Sequence, residues 1–128
     1  ESGDPIAQFD FVGFTLQYEM SYTNILNMLD LAGIPLRSAD RTEDMPLVIG
    51  GGPCSYNAEP VADFFDLFNV GEGEEMLPEI VRLYIKMKED GSISAAIRAG
   101  RSCTRRQGAL RAFTCLRFTM SHITTTER

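Results

Sequence analysis

The chain has 128 residues, 44% of them apolar and 23% charged, the size and composition of one ordinary globular domain. Residues 1–98 hold 17 acidic and 6 basic residues (−11), and residues 99–128 hold 1 acidic residue and 6 arginines (+5). The acidic body lacks the Lys/Arg surface that a polyanion requires, so no nucleic-acid partner is expected for it.

No run approaches the ~20 apolar residues of a membrane span, and no basic stretch leads into an apolar one as in a secretory signal. A cytoplasmic protein with no membrane partner is expected. Cys54, Cys103 and Cys115 have neither paired nor metal-ligand spacing, which argues against a disulfide framework or a metal centre. The chain opens on Glu1, and Phe9 already lies in the first strand-like run, so the reading is expected to begin partway into a larger protein.

Asp10–Gln17, DFVGFTLQ, is apolar on both faces and predicts a buried strand. In MSYTNILNMLDLAG the period changes: Tyr22, Ile25, Leu26, Leu29 and Ala32 recur at helical spacing, with Ser21 or Thr23 as start and Gly33 as stop. Ile34–Met45, with Pro35 and the charged RSADRTED, reads as an exposed connection. Pro46–Ile49 predicts a second strand, EPVADFF a short helix with Pro60 in its first turn, and Asp66–Val70 a third strand. From Glu74 onward Met76, Leu77, Ile80, Val81, Tyr84 and Met87 mark a helix face, with Gly91 as stop. Strands alternating with helices predict an α/β fold, a partial doubly wound parallel sheet with its loops at the carboxyl ends of the strands.

Two of those loops are rich in glycine. GGGP, Gly50–Pro53, lets backbone approach a bound group closely, yet it is neither GxGxxG nor followed by the Lys of a phosphate-binding loop. Read alone, it is more simply a tight turn. GEGEE, Gly71–Glu75, surrounds a helix entrance with three carboxylates, which repel anions and suit hydroxyl or amide donors. Glu74 and Glu75 read as helix-capping residues, and Glu72, between two glycines, as the better candidate for ligand contact. The acidic third loop also disfavours an independent flavodoxin-like nucleotide binder.

FDFVGFTLQYEMSYTNILNMLDLAGIPLRSADR and GGGPCSYNAEPVADFFDLFNVGEGEE together resemble an uncharacterised family of large radical S-adenosylmethionine proteins, over about residues 1–90. The part resembled is the cobalamin-binding type of domain that precedes the catalytic barrel. The resemblance implies a Rossmann-like, cobalamin-binding-like fold over residues 1–92, with possible cobalamin as its ligand. It implies that Thr15, Leu16 and Gln17 occupy the loop that contacts the corrin or its nucleotide tail. Gly50, Gly51, Gly52 and Pro53 match the glycine-rich second loop, and Gly71, Glu72 and Gly73 the third. The implied partner is the radical S-adenosylmethionine barrel of the same parent protein, where the four-iron cluster and S-adenosylmethionine would reside. A degenerate domain that covers the barrel without binding cobalamin is the rival reading.

There are departures from the pattern. Many cobalamin domains carry a DxHxxG loop whose His binds cobalt, whereas the only His here is His122, outside the domain. Cys54 stands where related domains often have His. The CxxxCxxC cluster motif is also missing: GRSCTRRQGALRAFTC puts eleven residues between Cys103 and Cys115. No catalysis by this chain alone is expected.

Residues 93–128 read differently from the body. Residues 99–128 contain no Lys and show neither helical nor strand period, which predicts a disordered or out-of-frame tail. Reading from the third base of each codon permits, over the last eighteen residues, a phrase resembling what the family carries after this domain. A frame change between Gly91 and Arg111 is therefore expected. The gene sequence tests this directly: the third-base reading should run open through that stretch, and stop codons within it would refute the frame change.

Overall fold

The computed structural model describes residues 3–70 and 73–92. Strands β1 (Phe11–Thr15), β2 (Leu47–Gly51) and β3 (Leu67–Asn69) form one parallel sheet in the order β1-β2-β3. Helix α1 (Tyr22–Leu31) lies between the first two strands, and helix α2 (Gly73–Glu89) follows the third. This is the expected α/β class, an open parallel sheet of the partial Rossmann-like kind. The proposed tail, residues 93–128, lies outside the described residues, as do Gly71 and Glu72.

Boundaries shift for a local reason. β1 ends at Thr15 instead of Gln17, and β2 continues through Gly50 and Gly51, which still pair with Phe14 and Thr15. EPVADFF forms the expected short helix, Glu59–Phe64, of 3-10 type, and another 3-10 turn, Pro53–Asn57, precedes it on the way to β3. Each has a proline at its start, where the missing N–H leaves no bond unmade.

Register decides which side chains share a face. Val12 stands beside Val48, and Phe14 beside Gly50, which in turn stands beside Phe68. On this face α1 contributes Tyr22, Ile25 and Leu29, and the second 3-10 turn adds Val61 and Ala62, to a core that includes Phe65 and Phe68. Phe11, Leu47, Ile49 and Leu67 alternate onto the opposite face. There α2 brings the Tyr84 ring to 4.6 Å from that of Phe11 and buries Met87. Cover on both faces is why the strands lack polar alternation.

The helices end as expected and start differently. Gly33, at φ +69°, closes α1: its N–H bonds Asp30 O at 2.9 Å, and the Ile34 N–H bonds Leu29 O at 3.0 Å. Ile34 and Leu29 are both core residues, so the turn is also an apolar contact. Ser21 does not cap α1. A 3-10 turn, Glu19–Ser21, leads straight into the helix, and the Ser21 hydroxyl donates back to Tyr18 O at 2.7 Å. On α2 the inward stripe includes half-buried Met76, Ile80, Leu83 and Tyr84, while Leu77, expected inward, is exposed.

In Ile34–Met45, expected as an exposed connection, Arg37, Ala39, Asp40 and residues 42–44 are exposed, and the correction concerns three others. Ile34, Ser38 and Arg41 are buried, and the Arg41 side chain is 0% exposed. Arg41 Nη1 donates to Asp66 Oδ2 at 2.7 Å, Nε to Pro35 O at 2.9 Å, and Nη2 to Leu36 O at 2.7 Å and Phe64 O at 2.6 Å. Asp66 Oδ2 also accepts the Val48 N–H at 2.9 Å, while the Asp66 N–H bonds Val48 O at 2.9 Å. A buried ion pair survives desolvation only when its remaining donors and acceptors are satisfied, and this one is wired into three chain segments.

Two tests follow. Arg41→Leu should lower the unfolding free energy by ~3–5 kcal/mol in denaturant titration, since it strands a buried carboxylate. Asp66→Asn, which keeps an acceptor for Val48, should cost less; losses below ~1 kcal/mol from both would reduce the pair to surface value.

The second concerns Asp10, whose carboxylate accepts both Lys88 Nζ and the Tyr84 hydroxyl at 2.8 Å. These bonds, Lys88 first, lower the Asp10 pKa, while burial and then the Asp10 bond push Tyr84 up to about 12. The raised phenol favours the fold below its unfolded value of about 10, and that contribution is lost as pH rises through about 12. Alkaline titration by tyrosinate absorbance should therefore show a late component that Tyr84→Phe removes and Asp10→Asn moves down. A curve unchanged by either variant would refute the contact.

Candidate functional site

The three strands are parallel, so their carboxyl ends, and the loops after them, open on one edge of the sheet. The first two loops are stitched together. The Leu16 N–H bonds Gly51 O at 2.6 Å, and the Cys54 N–H returns to Leu16 O at 2.9 Å. The Ser55 hydroxyl closes the second loop on Gly52 O at 2.6 Å.

Among the residues expected at the site, Thr15, Gln17 and Pro53 are exposed at this edge, and Gly51 and Gly52 are half-buried. Leu16 is 0% exposed: its side chain belongs to the core, and only its backbone joins the loops. Gly73, half-buried, opens α2. Gly71 and Glu72 lie outside the described residues.

The three glycines of the second loop serve different needs. A Cβ on Gly50 would come within 2.9 Å of the Phe68 ring and 3.1 Å of Phe65, so the core itself excludes a side chain there. Gly52 has φ +96°, and a Cβ would meet Thr15 Cγ2 at 3.1 Å and Leu16 O at 3.2 Å, so the turn demands glycine. Among the described residues Gly51 is under neither constraint: a Cβ there would find Asn69 Cβ at 3.7 Å, an ordinary contact.

Asn69, which the sequence reading passed over, completes the edge. It pairs in register with Gly51, and Gly51 with Thr15, so Thr15, Gly51 and Asn69 form one row across the three strand ends. Asn69 Oδ1 is buried and has no hydrogen-bond partner among the described residues. A Cβ on Gly73 would lie 3.5 Å from Asn69 Nδ2, so the residues around this amide at 51 and 73 are both bare. The available signal was a polar residue closing the otherwise apolar strand LFN.

A second buried polar atom lies near the first two loops. The Tyr22 hydroxyl is enclosed with no hydrogen-bond partner among the described residues, and Cys54 beside it is half-buried. Burial, then the neighbouring Cys54 and Glu19, push the Tyr22 pKa up.

Among the described residues no group of three or more His, Cys, Asp or Glu side chains is placed to hold a metal ion. Nor is any helix there long and apolar enough to cross a membrane. A corrin is fringed with amide groups, and an orphaned acceptor beside two bare positions suits such a fringe. Among the described residues the edge offers no imidazole to a cobalt. The residues present therefore fit contacts to the ligand's periphery.

Comparison with known proteins places these features in a lineage. An uncharacterized protein of Methanocaldococcus jannaschii is 32% identical over 84 residues, which cover 63% of this chain and 17% of that protein. The chain thus spans less than a fifth of the curated relative it matches. No solved structure matches the chain. The family described as "Radical SAM proteins, N-terminal" matches residues 1–121, beyond the described body and into the segment read as tail, and the chain belongs to that family.

Proposed function

We propose that this chain is a cobalamin-binding-like accessory module of a cytoplasmic radical S-adenosylmethionine protein, with no catalysis of its own. Its partner is the barrel of the same parent protein, which carries the four-iron cluster and S-adenosylmethionine. The observation that carries the reading is the row Thr15, Gly51 and Asn69 across three parallel strand ends, bare at its centre although the fold does not require glycine there. Open parallel sheets bind ligands at this edge. Exposed Gln17 and Pro53 flank the row. Cobalamin, when bound, would supply the parent enzyme with a cobalt centre.

One observation favours the rival reading, a structural domain that covers the barrel without a ligand. Gly50 and Gly52 are fully accounted for by the Phe68 ring and by a left-handed turn, so two of the three loop glycines need no ligand. Gly51 separates the readings. In the full-length protein Gly51→Val should abolish the cobalamin spectral change on titration while far-UV circular dichroism stays unchanged, because the fold leaves room for a Cβ at 51. A wild-type protein with no spectral change at high cobalamin concentration would leave the covering role as the better reading.

A further inference from the structure

Asn69 presents a problem that the fold does not solve. An amide oxygen enclosed by protein and left without a donor costs free energy that a polar exit to water or an apolar side chain would avoid. β3 is otherwise apolar, and the residue stands at the last position of the strand, on the crevice edge. Its register neighbour across the sheet is Gly51, and the start of the following helix beside it is Gly73. A Cβ at 73 would lie 3.5 Å from Asn69 Nδ2 and one at 51 would lie 3.7 Å from Asn69 Cβ, so neither position sets a side chain against Asn69.

We propose that Asn69 is the acceptor through which this edge selects its ligand, taking a hydrogen bond from an amide or hydroxyl group that enters between Gly51 and Gly73. The inference rests on the binding-module reading and deepens it. The ligand class follows from the chemistry of the amide oxygen: an acceptor needs a donor, which an amide or hydroxyl group carries and an ionised phosphate or carboxylate does not. Thr15, at the other end of the row, is exposed and adds a hydroxyl that can serve the same fringe as donor or acceptor.

The test uses the full-length protein with hydroxocobalamin as the probe and two substitutions. Asn69→Leu removes the acceptor, and Asn69→Asp keeps it. Asn69→Leu should weaken binding about tenfold, the value of one hydrogen bond in a closed site, while Asn69→Asp retains it. Without ligand, the melting temperature of Asn69→Leu should equal or exceed that of the wild type, because an unsatisfied polar atom has been removed. If the wild type binds and Asn69→Leu binds equally well, the role of Asn69 is overturned and the binding-module reading stands. If the unliganded Asn69→Leu protein melts lower, the amide is a structural group and the inference fails on that count alone. If the wild type shows no spectral change, the binding-module reading falls and takes this inference with it.

Discussion

The register of this sheet depends on a carboxylate acting as backbone. β3 is three residues long, at the short end for a strand, and so makes few ladder bonds of its own to β2. Asp66, one residue before it, exchanges two hydrogen bonds with Val48: its N–H meets Val48 O, and its side-chain oxygen takes the Val48 N–H. A buried carboxylate in that position requires a counter-charge, and Arg41 provides it from the segment between α1 and β2. The same guanidinium ties Pro35, Leu36 and Phe64 to the pair through their carbonyls. Two connections that would otherwise run loosely over the surface are thereby fixed to the start of the shortest strand.

The consequence reaches the crevice because a one-residue slip in a strand exchanges its two faces. In the observed register Phe68 fills the space left bare by Gly50, and Asn69 stands beside Gly51 at the strand end. Shifted by one, the ring would leave the core face and the amide would enter it. The position of a polar group at the candidate site is thus set by an ion pair some distance along the chain, through backbone pairing. Gly50 belongs to the same device: its missing Cβ is the hole into which the Phe68 and Phe65 rings pack.

Much of this architecture was legible in the residues. Helical spacing located α1 through Ile25 and Leu29 and α2 through Ile80, Tyr84 and Met87, and both stop glycines adopt the left-handed turn their positions implied. What escaped is of one kind. RSADRTED looked solvated because charge and burial rarely coincide, and nothing local reveals that Arg41 has a partner 25 residues on. Leu16 fell within a run read as a buried strand, and only the family resemblance set it at the ligand loop; its side chain is in the core. Asn69 passed as an ordinary strand residue, since an orphaned acceptor is a property of three-dimensional enclosure. In each case a long-range pairing or an enclosure decided the outcome, and sequence spacing carries neither.

The division of labour among the glycines bears on what kind of site this edge can be. Glycine bursts at strand ends invite a ligand interpretation, but here the first and third members of the burst serve packing and turn geometry. A domain that had wholly lost its ligand would keep those two, because losing either brings a clash or strain. Neither packing nor turn geometry among the described residues asks for a bare position 51 or for the unpartnered amide beside it. A Cβ at 51 meets only ordinary contacts there, and an apolar residue at 69 would remove an unsatisfied atom. The two features that the described residues do not explain therefore lie side by side in one register pair, and they are what the proposed binding reading rests on.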